Sequence, residues 1–147
     1  MTEQLTLRRL SVFVPGNPKP QGSKTHLGNG VLIESSRDLG SWRERIALFT
    51  HNARIASHQA ILHEACSLEL AFILPRPLSA SKTAQLSAAK RPDLDKLVRG
   101  CCDAITNVLI ASDAQIVRLV ATKRVAAVDD EPGVRINLER VLDETRR

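Results

Sequence analysis

The chain has no tyrosine, one tryptophan and three phenylalanines among 147 residues. Unpaired bases are bound by stacking on aromatic side chains, so this shortage argues against a single-strand-binding surface. It also means that the core is mostly aliphatic. Cysteine is scarce too, with Cys66, Cys101 and Cys102 as the only three. An odd count with two neighbours adjacent does not make a disulfide framework, and the spacing does not suit zinc. The thiols read as buried groups in a reducing cytoplasm. The histidines His26, His51, His58 and His63 lack ligand spacing and read as surface or core residues. Long apolar runs are missing, as is a basic-then-apolar leader, so neither a membrane span nor a membrane partner is expected.

What remains is 43% hydrophobic, enough to bury one core, and the length suits a single domain over 1–147. Charged residues make up an ordinary 25%, but the 21 Lys and Arg exceed the 16 Asp and Glu, giving a formal charge of +5. A basic surface of this kind suits a polyanionic partner.

Residues 5–14 end in an alternation that places Leu10, Val12 and Val14 on one face of a strand. The following stretch, 15–30, carries four Gly and three Pro and reads as a loop exposing Lys19, Lys24 and His26. VLIE at 31–34 returns as a short strand. A helix starts near Ser36 or at Ser41, where Ser41 and Glu44 have capping-box spacing, and then carries Trp42, Ile46, Phe49 and Ala53 on one face before fading near Ser57. SLELAFIL, 67–74, alternates cleanly and reads as a strand. Residues 75–92 form a long, flexible basic loop. A second helix spans 93–110, with Leu94, Leu97, Val98, Cys101, Cys102, Ile105, Val108 and Leu109 as its apolar stripe. Two further strands, 115–125 and 133–138, are joined by a turn. The pattern predicts an α+β domain: a mixed sheet of about four to five strands with two amphipathic helices packed on it.

The chemistry concentrates in Arg91–Pro92–Asp93–Leu94–Asp95–Lys96–Leu97–Val98–Arg99, followed by Asp103 and by Ser112–Asp113–Ala114–Gln115. Phosphodiester hydrolysis needs an activated water and stabilisation of charge on the phosphate. A hard cation on carboxylates supplies both, with Lys or Arg nearby. Two aspartates two residues apart point in different directions along a regular helix. They can share a metal where a loop becomes a helix, and Pro92 marks such a boundary. A bare D-x-D here has a second reading, since an Asp at the N-cap and another in the first turn are favoured by capping and by the helix dipole alone. Asp95, Arg99 and Asp103 equally fit a ladder of i,i+4 ion pairs, and Asp113 fits a polar residue opening a strand.

The stretch RPDLDKLVRGCCDAITNVL…SDAQIVRL resembles the signature of the RusA family of Holliday junction resolvases. PGNPKPQGSK and FILPRP are also similar to segments of that family, and the resemblance covers about residues 12–125. It implies that Asp93, Asp95 and Asp113 bind Mg²⁺, or Mn²⁺ in its place. It further implies a homodimer that resolves four-way junctions in recombination and repair by nicking two strands symmetrically, on nucleoid DNA in the cytoplasm. Two departures stand out. Many members carry paired acids where this chain has Ser112–Asp113, and some carry Lys where Arg99 stands. Arg99 keeps its proton and can only stabilise charge, with Lys96 as the other candidate for moving one.

From Arg76 to Arg99 six Lys or Arg face two Asp, a local balance of +4. Lys82, Lys90 and Arg91, with Lys19, Lys24 and Lys96, are the candidate contacts to the DNA backbone; a solvated loop is the other reading. Two alternatives to a resolvase stay open: a junction-binding protein whose catalysis Ser112 has weakened, and a small dimeric interaction protein with a purely structural acidic cap. A continuous helix 93–110 would have its ends about 25 Å apart, with Asp113 just beyond the far one. Antiparallel helices across a two-fold axis would then build each site from both subunits. A sharp chain reversal after Leu109 is the alternative, and it would bring Asp113 back to the site of its own subunit.

Overall fold

The computed structural model describes residues 5–21, 24–27, 31–34 and 39–142. In chain order its elements are β1 (Leu5–Thr6), β2 (Arg9–Pro15), β3 (Lys24–Leu27), β4 (Val31–Glu34), α1 (Leu39–Ala56), β5 (Gln59–Ala60), β6 (Cys66–Leu74), α2 (Leu94–Ile105), β7 (Ile116–Val125) and β8 (Gly133–Arg140). The expected α+β architecture is present. Four strands form one mixed sheet in the order β2-β8-β6-β7, with β3–β4 and β1–β5 as separate two-stranded pairs.

Strand β8 runs antiparallel to both β2 and β6, while β6 and β7 are parallel. Parallel neighbours need a crossover, and here it consists of the long 75–92 loop and α2. Strand β6 shows why the sequence folds this way. Its Cys66, Leu68, Leu70, Phe72 and Leu74 are all buried, while Glu69 and Ala71 between them are exposed. The buried phase joins Leu10 and Val14 of β2 and Val134, Ile136 and Leu138 of β8 in one core with Trp42 and Ile46 of α1 and Leu97, Cys101 and Ile105 of α2. Both helices therefore cover one face of the sheet and leave the other open. Among the described residues no helix is long and apolar enough to cross a membrane.

Among the described residues two polar side chains, Thr50 and Arg54, are buried. Thr50 donates to the Ile46 carbonyl at 2.7 Å. Arg54 donates Nε to the Val108 carbonyl at 2.8 Å and Nη1 to that of Gln59 at 2.9 Å. A buried cation is tolerated only when its donors are satisfied, and here backbone carbonyls do so. The end of α1 is thereby tied to the turn that follows α2. At the start of β8, a Cβ on Gly133 would meet the Val14 carbonyl oxygen at 2.2 Å, so only glycine lets β2 and β8 approach this closely.

The structure corrects three local expectations. Within the 15–30 loop, Lys24–Leu27 pairs with Val31–Glu34 as an antiparallel hairpin. The first helix begins by Leu39, so Ser41 and Glu44 lie inside it and make no capping box at its start; Ser36 is outside the described residues. The second helix ends at Ile105, five residues early. Thr106 turns extended (φ −67°, ψ 131°) and Asn107 takes a positive φ of 66°. Leu109 and Ile110 are fully buried even so, because the reversed chain packs them back against the core. Burial alone thus extended the apolar stripe past the true helix end.

Candidate functional site

Helix α2 starts one residue after Asp93, as the Pro92 boundary predicts. Asp93 occupies the N-cap position with extended backbone (φ −69°, ψ 137°), yet its carboxylate accepts no capping hydrogen bond. Its near cation is Lys96, with Nζ 3.7 Å from Oδ2 and the two side chains 33% and 54% exposed respectively. Asp95 lies exposed in the first turn, where the helix dipole favours negative charge. Arg99 and Asp103 are exposed further along the same helix, and among the described residues no ion pair links Arg99 to Asp95 or to Asp103. Neither the capping role nor the ion-pair ladder is therefore realised. Two carboxylates face solvent at a helix start beside Lys96.

Asp113 stands elsewhere. It opens a single 3-10 turn, Asp113–Gln115, for which Ser112 is the N-cap. Ser112 Oγ accepts from the Ala114 amide at 3.2 Å, and the Ser112 amide donates to Gln115 Oε1 at 2.8 Å. Gln115 Nε2 then donates to the carbonyls of Leu62 and Glu64, both at 2.9 Å. One glutamine side chain thus fixes the turn and anchors it to the segment leading into β6. Asp113 itself is exposed.

The two acidic clusters sit at opposite ends of α2. Asp113 is close enough to Cys102, in the last helical turn, to affect its ionisation. Burial pushes that thiol up, and the charges of Asp113 and Asp103 add to the shift, bringing it to about 11. The 12 residues of α2 cover roughly 18 Å at about 1.5 Å each. In line with this separation, no three His, Cys, Asp or Glu side chains among the described residues come together as a metal-binding group. What one chain offers is Asp93 with Asp95. Two oxygen ligands of this kind suit Mg²⁺, which keeps several waters and completes its shell with substrate phosphate oxygens.

Lys90 and Arg91 precede this helix start in the chain and Lys96 lies in its first turn. Lys82, Lys90 and Arg91 are exposed, Lys19 and Lys96 half-buried, and Lys24 lies on β3 with its side chain outside the described part. The Gln21 amide donates to the Lys96 carbonyl at 2.9 Å, tying the N-terminal loop to the first turn of α2. Arg76 organises the long loop by donating to the carbonyls of Ser81, Ala84 and Ala126. Between these two loops lies an open cavity of about 520 Å³, with Asn17, Pro18, Lys90, Arg91 and Pro92 among its walls.

Sequence reasoning passed over Lys123. Its Nζ donates to the Lys90 carbonyl at 2.8 Å and to the Pro92 carbonyl at 2.9 Å, directly before Asp93. The signal was there to read: along β7 the positions facing the helices are Leu119, Ala121, Lys123 and Val125, paired with Leu68, Leu70, Phe72 and Leu74. A lysine in an apolar phase asks for a reason. The anchoring roles of Gln115, which the motif contains, and of Arg54 were not readable either, because their partners lie on segments remote in sequence.

The family model described as Endodeoxyribonuclease RusA matches residues 15–139, a span that includes Asp93, Asp95, Arg99, Asp113 and Lys123. No curated protein matches the chain.

Proposed function

The chain belongs to the RusA endodeoxyribonuclease family, and from that premise we propose that it resolves four-way DNA junctions by metal-dependent, paired nicking. The observation that carries this reading is the Asp93 carboxylate, which holds the N-cap position without capping and, like that of Asp95 in the first turn, is exposed.

Asp93 and Asp95 would hold Mg²⁺ (or Mn²⁺), which would supply charge stabilisation at the phosphate and a water of lowered pKa. The remaining work falls to the chain's own residues. Arg99, one turn beyond Asp95, brings a guanidinium that neutralises charge developing on the phosphate oxygens. Lys96 balances Asp93 while the site is empty of DNA and is placed to contact a phosphate when the duplex arm arrives. Lys82, Lys90 and Arg91, with Lys19 and Lys24, bind the sugar–phosphate backbone and set its register without reading bases.

Asp113 joins this site from a second copy. The length of α2 keeps it away from Asp93 and Asp95 of its own chain, whereas a two-fold axis with the α2 helices antiparallel brings Asp113 of the partner subunit beside them. A strand edge available for that contact is β7, whose Val117, Leu119 and Val120 are exposed. Two composite sites on one dimer would cut two strands of one junction, in recombination and repair of nucleoid DNA in the cytoplasm.

The test is a labelled four-way junction incubated with the protein, with and without Mg²⁺ or Mn²⁺. Symmetric nicks that depend on the metal are expected. A junction that shifts in a gel but stays uncut at every metal concentration refutes the proposal and leaves a binding protein.

A further inference from the structure

From the placement of Lys123 we infer that it is a positioning residue for Asp93, acting through the backbone of the Lys90–Pro92 segment. This assignment rests on the proposed reading of Asp93 as a metal ligand, but it stands on contacts that the reading did not use. Lys123 occupies the helix-facing phase of β7, opposite Phe72 in the parallel pairing with β6, at a position where its neighbours are apolar. A strand lysine placed there for solubility would carry its ammonium out to water along an apolar stem. Lys123 is half-buried and gives two of its three donors to carbonyls on either side of Arg91, at 2.8 and 2.9 Å. It takes part in no ion pair among the described residues.

The Pro92 carbonyl belongs to the peptide plane whose nitrogen is that of Asp93. Holding that oxygen fixes the direction in which the Asp93 carboxylate leaves the chain. Asp93 lacks the capping hydrogen bond that would otherwise restrain it, and β7 provides the restraint from outside. Charge-assisted N–H···O bonds are stronger than neutral ones, and groups that orient a ligand commonly govern metal affinity about 10- to 100-fold. The sheet thereby sets the geometry of an acid lying 30 residues earlier in the chain.

The test uses the whole chain and Mn²⁺ alone, titrated by water-proton relaxation without DNA, on wild type, Lys123→Met, Lys123→Arg, Asp93→Asn and Asp93→Asn/Lys123→Met. Lys123→Met is expected to weaken Mn²⁺ binding about tenfold, and Lys123→Arg, which keeps the cationic donors, to recover most of it. In the Asp93→Asn background the Lys123 substitution should have no further effect, because its influence passes through Asp93. In junction cutting, kcat should fall while KM stays near that of wild type. Lys123→Gln, which keeps an N–H donor, serves in place of Lys123→Met should the latter not fold, with a smaller loss expected. Wild-type Mn²⁺ affinity in a folded Lys123→Met protein overturns the assignment, as does an equal loss in the Asp93→Asn background. If wild type binds Mn²⁺ with this dependence on Lys123 yet cuts no junction, the nuclease reading fails and the positioning role stands. If wild type cuts and Lys123→Met titrates unchanged, the positioning role alone fails.

Discussion

Replacing Gln115 by alanine separates delivery of Asp113 from overall stability. The side chain makes three hydrogen bonds, accepting from the Ser112 amide at 2.8 Å and donating to Leu62 and Glu64 carbonyls at 2.9 Å each. A neutral hydrogen bond contributes about 1 kcal/mol net, which puts the upper figure near 3 kcal/mol. Two features lower it. The Leu62 carbonyl also accepts from the Ala111 amide at 3.2 Å, so it is not orphaned. Ser112 and Glu64 are exposed, and water replaces the lost partner at both. A loss of about 1.5 kcal/mol is the resulting expectation. With a urea m-value of about 1–3 kcal/mol per molar, the denaturation midpoint should fall by roughly 0.5 to 1.5 molar at unchanged m. Junction cutting should fall much further, by around a hundredfold, because an error of about 1 Å in placing a catalytic group has that effect. Gln115→Glu should do no better, since it would aim an acid oxygen at two carbonyls. If Gln115→Ala lost the expected stability but cut at the wild-type rate, the reasoning that ties this turn to catalysis would be refuted.

Mixing Asp93→Asn protein with Asp113→Asn protein tests the shared site. If sites are built across the two-fold axis, the mixed dimer has one intact site, and about a quarter of the wild-type sites should return in an equal mixture; no recovery after demonstrated subunit exchange would contradict it. Replacing Lys82, Lys90 and Arg91 together with Ala should weaken junction binding and flatten its dependence on salt, because fewer counterions are released. An unchanged slope of log affinity against log salt would mean that these side chains contact no phosphate. The thiols of Cys101 and Cys102 are both pushed up, chiefly by burial, the latter to about 11. Both therefore remain protonated at pH 8 and should react with a chromogenic disulfide far more slowly in the folded protein than in urea. Equal rates in the two states would mean that α2 is not packed as described.

The sheet and the helices were legible because their signals are local. The alternation of β6 from Leu68 to Leu74 and the stripe from Leu97 to Ile105 each reflect one element buried on one face. The end of α2 was not legible. Leu109 and Ile110 are buried by a reversal at Asn107, and burial periodicity does not distinguish that from another helical turn. The β3–β4 hairpin hid inside a segment whose glycines and prolines suggested only a loop. At the candidate site, the D-x-D motif located two acids but left their role open, because capping and metal binding place an aspartate at the same position. The side-chain geometry of Asp93 shows only that it makes no capping hydrogen bond. The contacts of Lys123 and Gln115 escaped notice because their partners lie 31 and 53 residues away in the chain.

The most direct test of the catalytic role assigned to Asp93 and Asp95 is the split between binding and cutting in Asp93→Asn and Asp95→Asn. Asparagine is as good as aspartate at an N-cap, so the fold should be kept, and removing one negative charge should leave junction affinity equal or tighter. Both proteins should bind a four-way junction and fail to nick it at any concentration of Mg²⁺. Wild-type cutting by both single variants would contradict the account.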